Sequence, residues 1–217
     1  QSVTDKNASS ETQASSTDEP QSRDVFAMDT YMTLTAYGDN AENALDKAEA
    51  EIERLDNLLS TGDGNSEIYA LNQNGTGTIS EDTETLLNES EKLYTDTEGV
   101  FDITIYPVMD AWGFTTQNYR IPSEEELKGL LENVNASKIQ YDKASKKVTL
   151  PAGVKIDFGG IAKGYTSSRI MDIYKKCGVT SGMVSLGGNV QLLGAKPDGS
   201  FWRVAVQSPD DTNDYLG

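Results

Sequence analysis

Histidine is absent from the 217 residues of this chain, and that one absence removes much of the familiar enzymatic repertoire. Ser-His-Asp and Cys-His nucleophilic catalysis, the His-Glu-x-x-His zinc helix and imidazole acid-base chemistry all need a side chain the sequence does not contain. Any metal should then be a hard ion with oxygen ligands, magnesium or calcium. Cysteine occurs once, at Cys177, so no internal disulfide can form. At the end of an expected helix it reads as a small packed residue rather than a nucleophile. Positive charge is scarce as well: 18 Lys and Arg against 35 Asp and Glu leave a formal charge of −17. That balance argues against a nucleic-acid partner. No window approaches the run of roughly 18 apolar residues that a membrane-spanning helix requires. The length does allow a single domain with a sizeable core.

What is present falls into a polar leader and a patterned remainder. Residues 1–24, rich in Ser, Thr, Asp and Gln, have almost nothing to bury and are expected to form a disordered tether. Tethers of this composition follow the lipid-bearing cysteine of bacterial surface lipoproteins, and an ordinary disordered terminus fits equally well. From Val25 to Tyr37 the sequence alternates and is rich in β-branched and aromatic residues, which predicts a strand. Asp39 or Asn40 should cap a helix whose apolar face is Ala41, Ala44, Leu45, Ala48, Ile52, Leu55, Leu58 and Leu59. Ser66 and Ser80 should cap two more helices, the second closed by Gly99. Pro107 is expected to break "VFDITIYPVMDAWGF", and "PSEEELKGLLENV" reads as an acidic-first helix. A hairpin feeding a strand through Ile156 should follow, then a helix from about Gly160 to Gly178, then strands joined by glycine turns. The pattern is α+β: helices packed on a mixed or antiparallel sheet, with most strands late.

The stretch "KIDFGGIAKGYT", Lys155 to Thr166, concentrates the chemistry. It puts an acid, a glycine pair and a lysine where a strand should turn into a helix. A helix start offers unpaired N–H groups and the positive end of the macrodipole, which suits a phosphate. It matches neither the P-loop nor the Rossmann fingerprint. Two readings stand: a phosphate site, or a tight turn that only glycine permits, with Lys163 in solvent.

Four companion blocks shift the balance. "MDTYMTLTAYG", "LLSTGDGNSEIYALN", "GVFDITIYPVMDAWGF" and "VSLGGNVQLLG", with "KIDFGGIAKGYT" before the last, occur in an order that resembles the ApbE-type flavin transferases, FAD:protein FMN transferases. The likeness runs from Met28 to about Pro209, so residues 25–217 are expected to be one flavin-transferase-like domain. It implies magnesium-dependent transfer of FMN from FAD to a Thr or Ser hydroxyl of a target flavoprotein, with release of AMP. Some relatives instead hydrolyse FAD to FMN and AMP, and a non-catalytic FAD-binding chain is the other reading. By motif position, Met28, Val100, Phe101, Asp102, Asp157 and Lys163 would bind FAD, and the Gly160 carbonyl would be a Mg2+ ligand. The implied partner is a flavin-acceptor protein, a redox-complex subunit or FMN-binding domain. The implied setting is extracytoplasmic, with a lipid anchor to the membrane. Gly62 stands where many relatives carry an aromatic over the flavin, and Ile103 where proline often follows Phe-Asp. The chain is also expected to stop before the segment that supplies the family's remaining metal ligands.

Overall fold

A computed structural model describes residues 19–210 and 214–216. The expected tether therefore lies mostly outside the described residues, and its last part is not a tether: Gln21–Asp24 open the first strand. Strand β1 (Gln21–Ala27) and strand β2 (Thr30–Ala36) pair antiparallel, Gln21 opposite Ala36 and Ala27 opposite Thr30. The single strand expected from Val25 to Tyr37 is thus a hairpin. Its two-residue turn, Met28 and Asp29, has both residues at positive φ, 49° and 56°. Such a turn matches the right-handed twist of its strands but ordinarily recruits Asn or Gly, so Met-Asp gives no turn signal.

Helix α1 (Ala41–Leu59) follows Asn40 and buries Ala41, Ala44, Leu45, Ala48, Ile52, Leu55 and Leu59, with Leu58 half-buried. Each fully buried aliphatic side chain on this face contributes about 1.5–3 kcal/mol relative to exposure. Helix α2 (Glu67–Asn74) is capped by the Ser66 hydroxyl, which accepts from the Ile68 and Tyr69 N–H groups. After strand β3 (Thr76–Thr78), helix α3 (Glu81–Asp96) is capped by Ser80 accepting from Thr83 N–H. Gly99, at φ 85°, closes α3 by donating to the Tyr94 carbonyl at 2.8 Å. A 3-10 turn (Ile103–Ile105) leads into helix α4 (Tyr106–Ala111). Pro107 starts this helix instead of breaking it, because the first turn has no use for the N–H that proline lacks. Helix α5 (Glu124–Leu131) is capped by Ser123, and a second 3-10 turn spans Ala136–Lys138.

Strand β4 (Gln140–Asp142) and strand β5 (Lys147–Thr149) form the expected hairpin and complete a sheet of order β3-β5-β4. The strand expected through Ile156 is absent. At Ile156 the Asn72 side chain takes the place of a neighbouring strand, donating to its carbonyl and accepting from its N–H, both at 2.8 Å. Helix α6 (Gly159–Lys176) then leads to strand β6 (Gly182–Leu186) and strand β7 (Asn189–Leu193). These join the first hairpin in the order β1-β2-β6-β7. Both sheets are antiparallel throughout, and the larger draws its hairpins from the two ends of the sequence rather than mainly from the late part. Phe201–Val206, within the late stretch expected to hold strands joined by glycine turns, takes no place in either sheet; a lone bridge joins Gln207 and Tyr215.

Two apolar clusters result. One lies under the larger sheet and includes Leu34, Leu45, Ile52, Ile170, Tyr174 and Val184. The other gathers Ile68, Leu71, Leu86, Val148, Ile156 and Phe158 under the smaller sheet. Helices α1 and α6 run through both, and Met28 packs against both. A charge network fixes α1, α3 and α6 together: Glu51 meets Arg54 at 2.8 Å and Arg169 at 3.0 Å, Arg54 meets Asp82 at 2.8 Å, and Tyr165 donates to Asp82 at 2.5 Å. The Arg54 guanidinium holds Glu51 below the usual carboxylate range against its burial. Tyr165 of the lysine-glycine motif is thereby committed to helix packing, its hydroxyl pushed up to about 12 by burial and by Asp82. Among the described residues no helix is long and apolar enough to cross a membrane.

Candidate functional site

The seam between the two clusters opens as a cleft of about 250 Å³. One wall is the Met28–Asp29 turn, held in place because the Met28 N–H donates to Asp56 of α1 at 3.0 Å. The C-terminal end of α1 and the loop after it contribute Leu59, Ser60, Thr61 and Gly62. The facing wall is the start of α6: Asp157, Phe158, Gly159 and Ala162, with Thr115 closing one side. The cleft lies below the roughly 300–1,000 Å³ of sites that enclose a drug-sized ligand, so it suits part of a dinucleotide rather than the whole.

Asp157 is held by both neighbours. Its own N–H donates to the Ile103 carbonyl at 2.8 Å, and its Oδ1 accepts from Gly159 N–H at 2.5 Å. Burial raises its pKa, opposed by that N–H and by the charge of Lys163 acting through space. Asp56 is raised too: burial dominates, Asp29 and Asp63 add repulsion, and the Met28 N–H partly offsets them. Two of the acids in the cleft, Asp56 and Asp157, therefore resist ionising, and Lys163 stands one turn along α6.

The seven residues expected at the site divide as follows. Met28 and Asp157 line one cleft. The Phe101 ring lies over Gly160, where an added Cβ would sit 2.9 Å from Phe101 Cε2. Lys163 acts on Asp157 through its charge. Val100 projects next to Phe101 and is 88% exposed. Asp102 does not line the cleft, and its carboxylate has other partners. It accepts from Thr104 N–H at 2.8 Å and Thr104 hydroxyl at 2.6 Å, capping the 3-10 turn, and from Ala136 N–H at 2.9 Å. Gly160 is the second residue of α6. There the backbone carbonyl points along the helix, and the N–H is among those a helix leaves without an intrahelical partner.

Sequence reasoning misses Asp29, Asp56 and Thr115. Asp56 reads as one more acid on the solvated side of an amphipathic helix, and nothing local marks it as facing a turn 28 residues earlier. Thr115 carries no signal; it meets Gly62, whose added Cβ would lie 3.8 Å from Thr115 Cγ2.

A profile of the ApbE family matches residues 28–217. The chain belongs to the ApbE family. Similar curated ApbE-family proteins include the FAD:protein FMN transferase of Haemophilus influenzae, 28% identical over 183 residues, which cover 80% of this chain and 53% of that protein. The FAD:protein FMN transferase of Escherichia coli K12 is 27% identical over 179 residues, 76% of this chain and 50% of that one. Among solved ApbE structures, the Thermotoga maritima protein superposes with a TM-score of 0.84 at 29% identity, covering 91% of this chain and 67% of its own. The flavinyl transferase of Pseudomonas stutzeri, in its apo form, gives 0.78 at 26% identity, covering 88% and 66%. The α+β architecture is that of the ApbE fold. The chain spans about half the length of the curated ApbE proteins it matches.

Magnesium is tested by the donor set. Among the described residues no group of three or more His, Cys, Asp or Glu side chains could hold a metal ion. The ion needs near-octahedral oxygen coordination at 2.0–2.1 Å, which one backbone carbonyl at Gly160 does not provide. The described residues alone do not fit it.

Replacing Gly160 by Ala is expected to displace the Phe101 ring, since the new Cβ falls inside van der Waals contact. The overpacking should cost about 1 kcal/mol of stability, at the low end for such changes because the site is partly open. Thermal unfolding should show that small loss, and flavin fluorescence should show weaker FAD binding if Phe101 forms part of the FAD wall.

Proposed function

We propose that this chain forms the FAD-binding part of an FAD:protein FMN transferase, moving FMN from FAD to a Thr or Ser hydroxyl of a partner flavoprotein. The observation that carries the reading is the seam cleft, where the Met28 turn faces the Asp157–Gly159 entry to α6, both within the residues that match the ApbE family. The Gly160 N–H and the positive dipole end at the start of α6 favour phosphate oxygens, the Gly159 N–H being taken by Asp157. Lys163, in the second turn, adds a cation on the same side. Asp157 is suited to accept from a hydroxyl or amine of the nucleotide. Phe101 and Met28 supply apolar surface.

In the proposed reaction the acceptor hydroxyl oxygen bonds to the FMN phosphorus, and the bond from that phosphorus to the bridging oxygen breaks. AMP leaves with the bridging oxygen, and the hydroxyl proton passes to a base or solvent. If water takes the place of the acceptor, the products are FMN and AMP. Magnesium belongs to the proposal as the charge that offsets the pyrophosphate in so acidic a chain, with further ligands from outside the described residues. A redox-complex subunit or FMN-binding domain as acceptor, and an extracytoplasmic, lipid-anchored setting, complete the reading.

The test is incubation with FAD, magnesium and an FMN-acceptor domain, followed by mass spectrometry of the acceptor and chromatography for AMP. Acceptor mass gain of one FMN less one water, with equimolar AMP, is expected, abolished by EDTA. FAD binding without either product would favour a binding-only chain. No FAD binding at all would remove the reading.

A further inference from the structure

The loop between α4 and α5 is braced at its base and carries exposed apolar side chains. Arg120 N–H donates to the Trp112 carbonyl at 3.1 Å, and Phe114 N–H donates to the Met109 carbonyl at 3.2 Å. Gly113, at φ 84°, lies so close to the returning chain that an added Cβ would sit 2.0 Å from the Asn118 carbonyl oxygen. On this frame the Phe114 and Tyr119 rings meet edge-to-face at 5.7 Å, yet they are 49% and 67% exposed. Ile121, next along, is 84% exposed. Aromatic and aliphatic groups held together in water have the composition of an interface centre.

Position and charge together select the occupant. Thr115, next to Phe114 on this loop, closes one side of the seam cleft. An acceptor whose hydroxyl is to reach a phosphorus bound there has to rest on that cleft's rim. The other exposed ring pair, Phe26 and Tyr31, projects from the outer face of the larger sheet and does not line the cleft. Residues 110–126 hold four carboxylates, Asp110, Glu124, Glu125 and Glu126, against one guanidinium, Arg120. Arg120 is taken up by Glu126 at 2.7 Å, which brings the acidic first turn of α5 beside Tyr119. Asp110 acts on the same guanidinium through space. The exposed Asp110, Glu124 and Glu125 thus give the ring pair a negative rim.

We propose that this loop face is the docking surface for the flavin-acceptor protein. The acceptor lays an apolar side chain on Phe114 and Tyr119 and brings Lys or Arg to Asp110, Glu124 and Glu125. The proposal rests on the transferase reading and adds the chemistry of the partner's docking segment. Opposite charge at such a rim speeds encounter and discriminates against acidic partners.

The experiment is steady-state transfer from FAD to an FMN-acceptor domain, with acceptor concentration varied, for the chain and its variants. Phe114→Ser/Tyr119→Ser is expected to raise the acceptor KM about tenfold or more, the scale of losing aromatic anchors. Its kcat at saturating acceptor and its FAD affinity by flavin fluorescence should stay within about twofold, because both rings already face water and the fold persists without them. Glu124→Lys/Glu125→Lys should raise KM roughly three- to tenfold, a difference that largely disappears in about 0.5 M NaCl. Phe26→Ser should leave KM at the parent value. A parental KM in the ring variant, or an equal rise in Phe26→Ser, would overturn the surface while the transferase reading stands. No transfer by the parent chain would remove that reading and the surface with it, so the two failures are told apart by the parent alone.

Discussion

Asp157→Asn is expected to raise the melting temperature at neutral pH while weakening FAD binding more than tenfold. The stability half follows from the folded-state pKa, which burial raises above the ordinary carboxylate value. A carboxyl shifted this way contributes stability that is fully present below its unfolded pKa and is lost as pH rises through the folded one. Asparagine keeps an oxygen for the Gly159 N–H and never ionises, so it avoids that loss. Relief of a strained functional group of this kind commonly yields about 0.5–2 kcal/mol. For a chain of this size that is roughly 2–4 °C per kcal/mol. The difference between variant and parent should therefore be near zero in acid, below the ordinary aspartate pKa, and open as pH rises to 7. The binding half rests on the proposed contact: a hydrogen bond to a charged group is worth about 1.5–3 kcal/mol. Calorimetry across pH and a flavin-fluorescence titration separate the two effects. An unchanged FAD affinity would remove Asp157 from the site.

Asn72→Leu should be among the most destabilising single changes outside the two apolar clusters. Asn72 is 7% exposed, and its amide is the partner of both the N–H and the carbonyl of Ile156, itself 1% exposed. Leucine preserves the volume but leaves two buried backbone groups unpaired, at about 1–3 kcal/mol each. A total loss of about 2–5 kcal/mol is expected from denaturant unfolding, with hydrogen exchange at the Ile156 amide accelerated more than at Ile103. Because Ile156 directly precedes Asp157, FAD affinity should fall with it. A loss below about 0.5 kcal/mol, the level of an ordinary surface substitution, would mean that water replaces the amide without cost.

These two residues also mark what the sequence does and does not disclose. The α1 face and the serine caps at Ser66 and Ser80 are legible because their cause is local: spacing within one helix, or a hydroxyl two or three residues from the N–H it accepts. The Asp157–Gly160 entry to α6 is legible for the same reason. Ile156 reads as a strand residue because its true partner is a side chain 84 residues away. The Met28 turn escapes notice because Met and Asp occupy left-handed positions normally signalled by Gly or Asn. Asp56 is hidden altogether, since its role depends on that silent turn. The motif order carries the family, yet it does not separate residues that face the cleft from those that brace it. Tyr165 holds helices together, and Asp102 spends its carboxylate on a turn cap and on Ala136.

The Gly187–Gly188 turn, both residues at positive φ, nests against the hairpin that carries Met28. Gly187 N–H donates to the Tyr31 carbonyl at 3.1 Å, and a Cβ at this glycine would stand 2.5 Å from Thr30 Oγ1. Mutational drift at the two places is therefore tied. A lineage that acquires a side chain at 187 must also rebuild Thr30 and with it the loop presenting Met28, so viable paths between such sequences pass through paired changes. Deep mutational scanning of positions 28–31, once in the parent chain and once in a Gly187→Ala background, would show that dependence as substitutions tolerated only together.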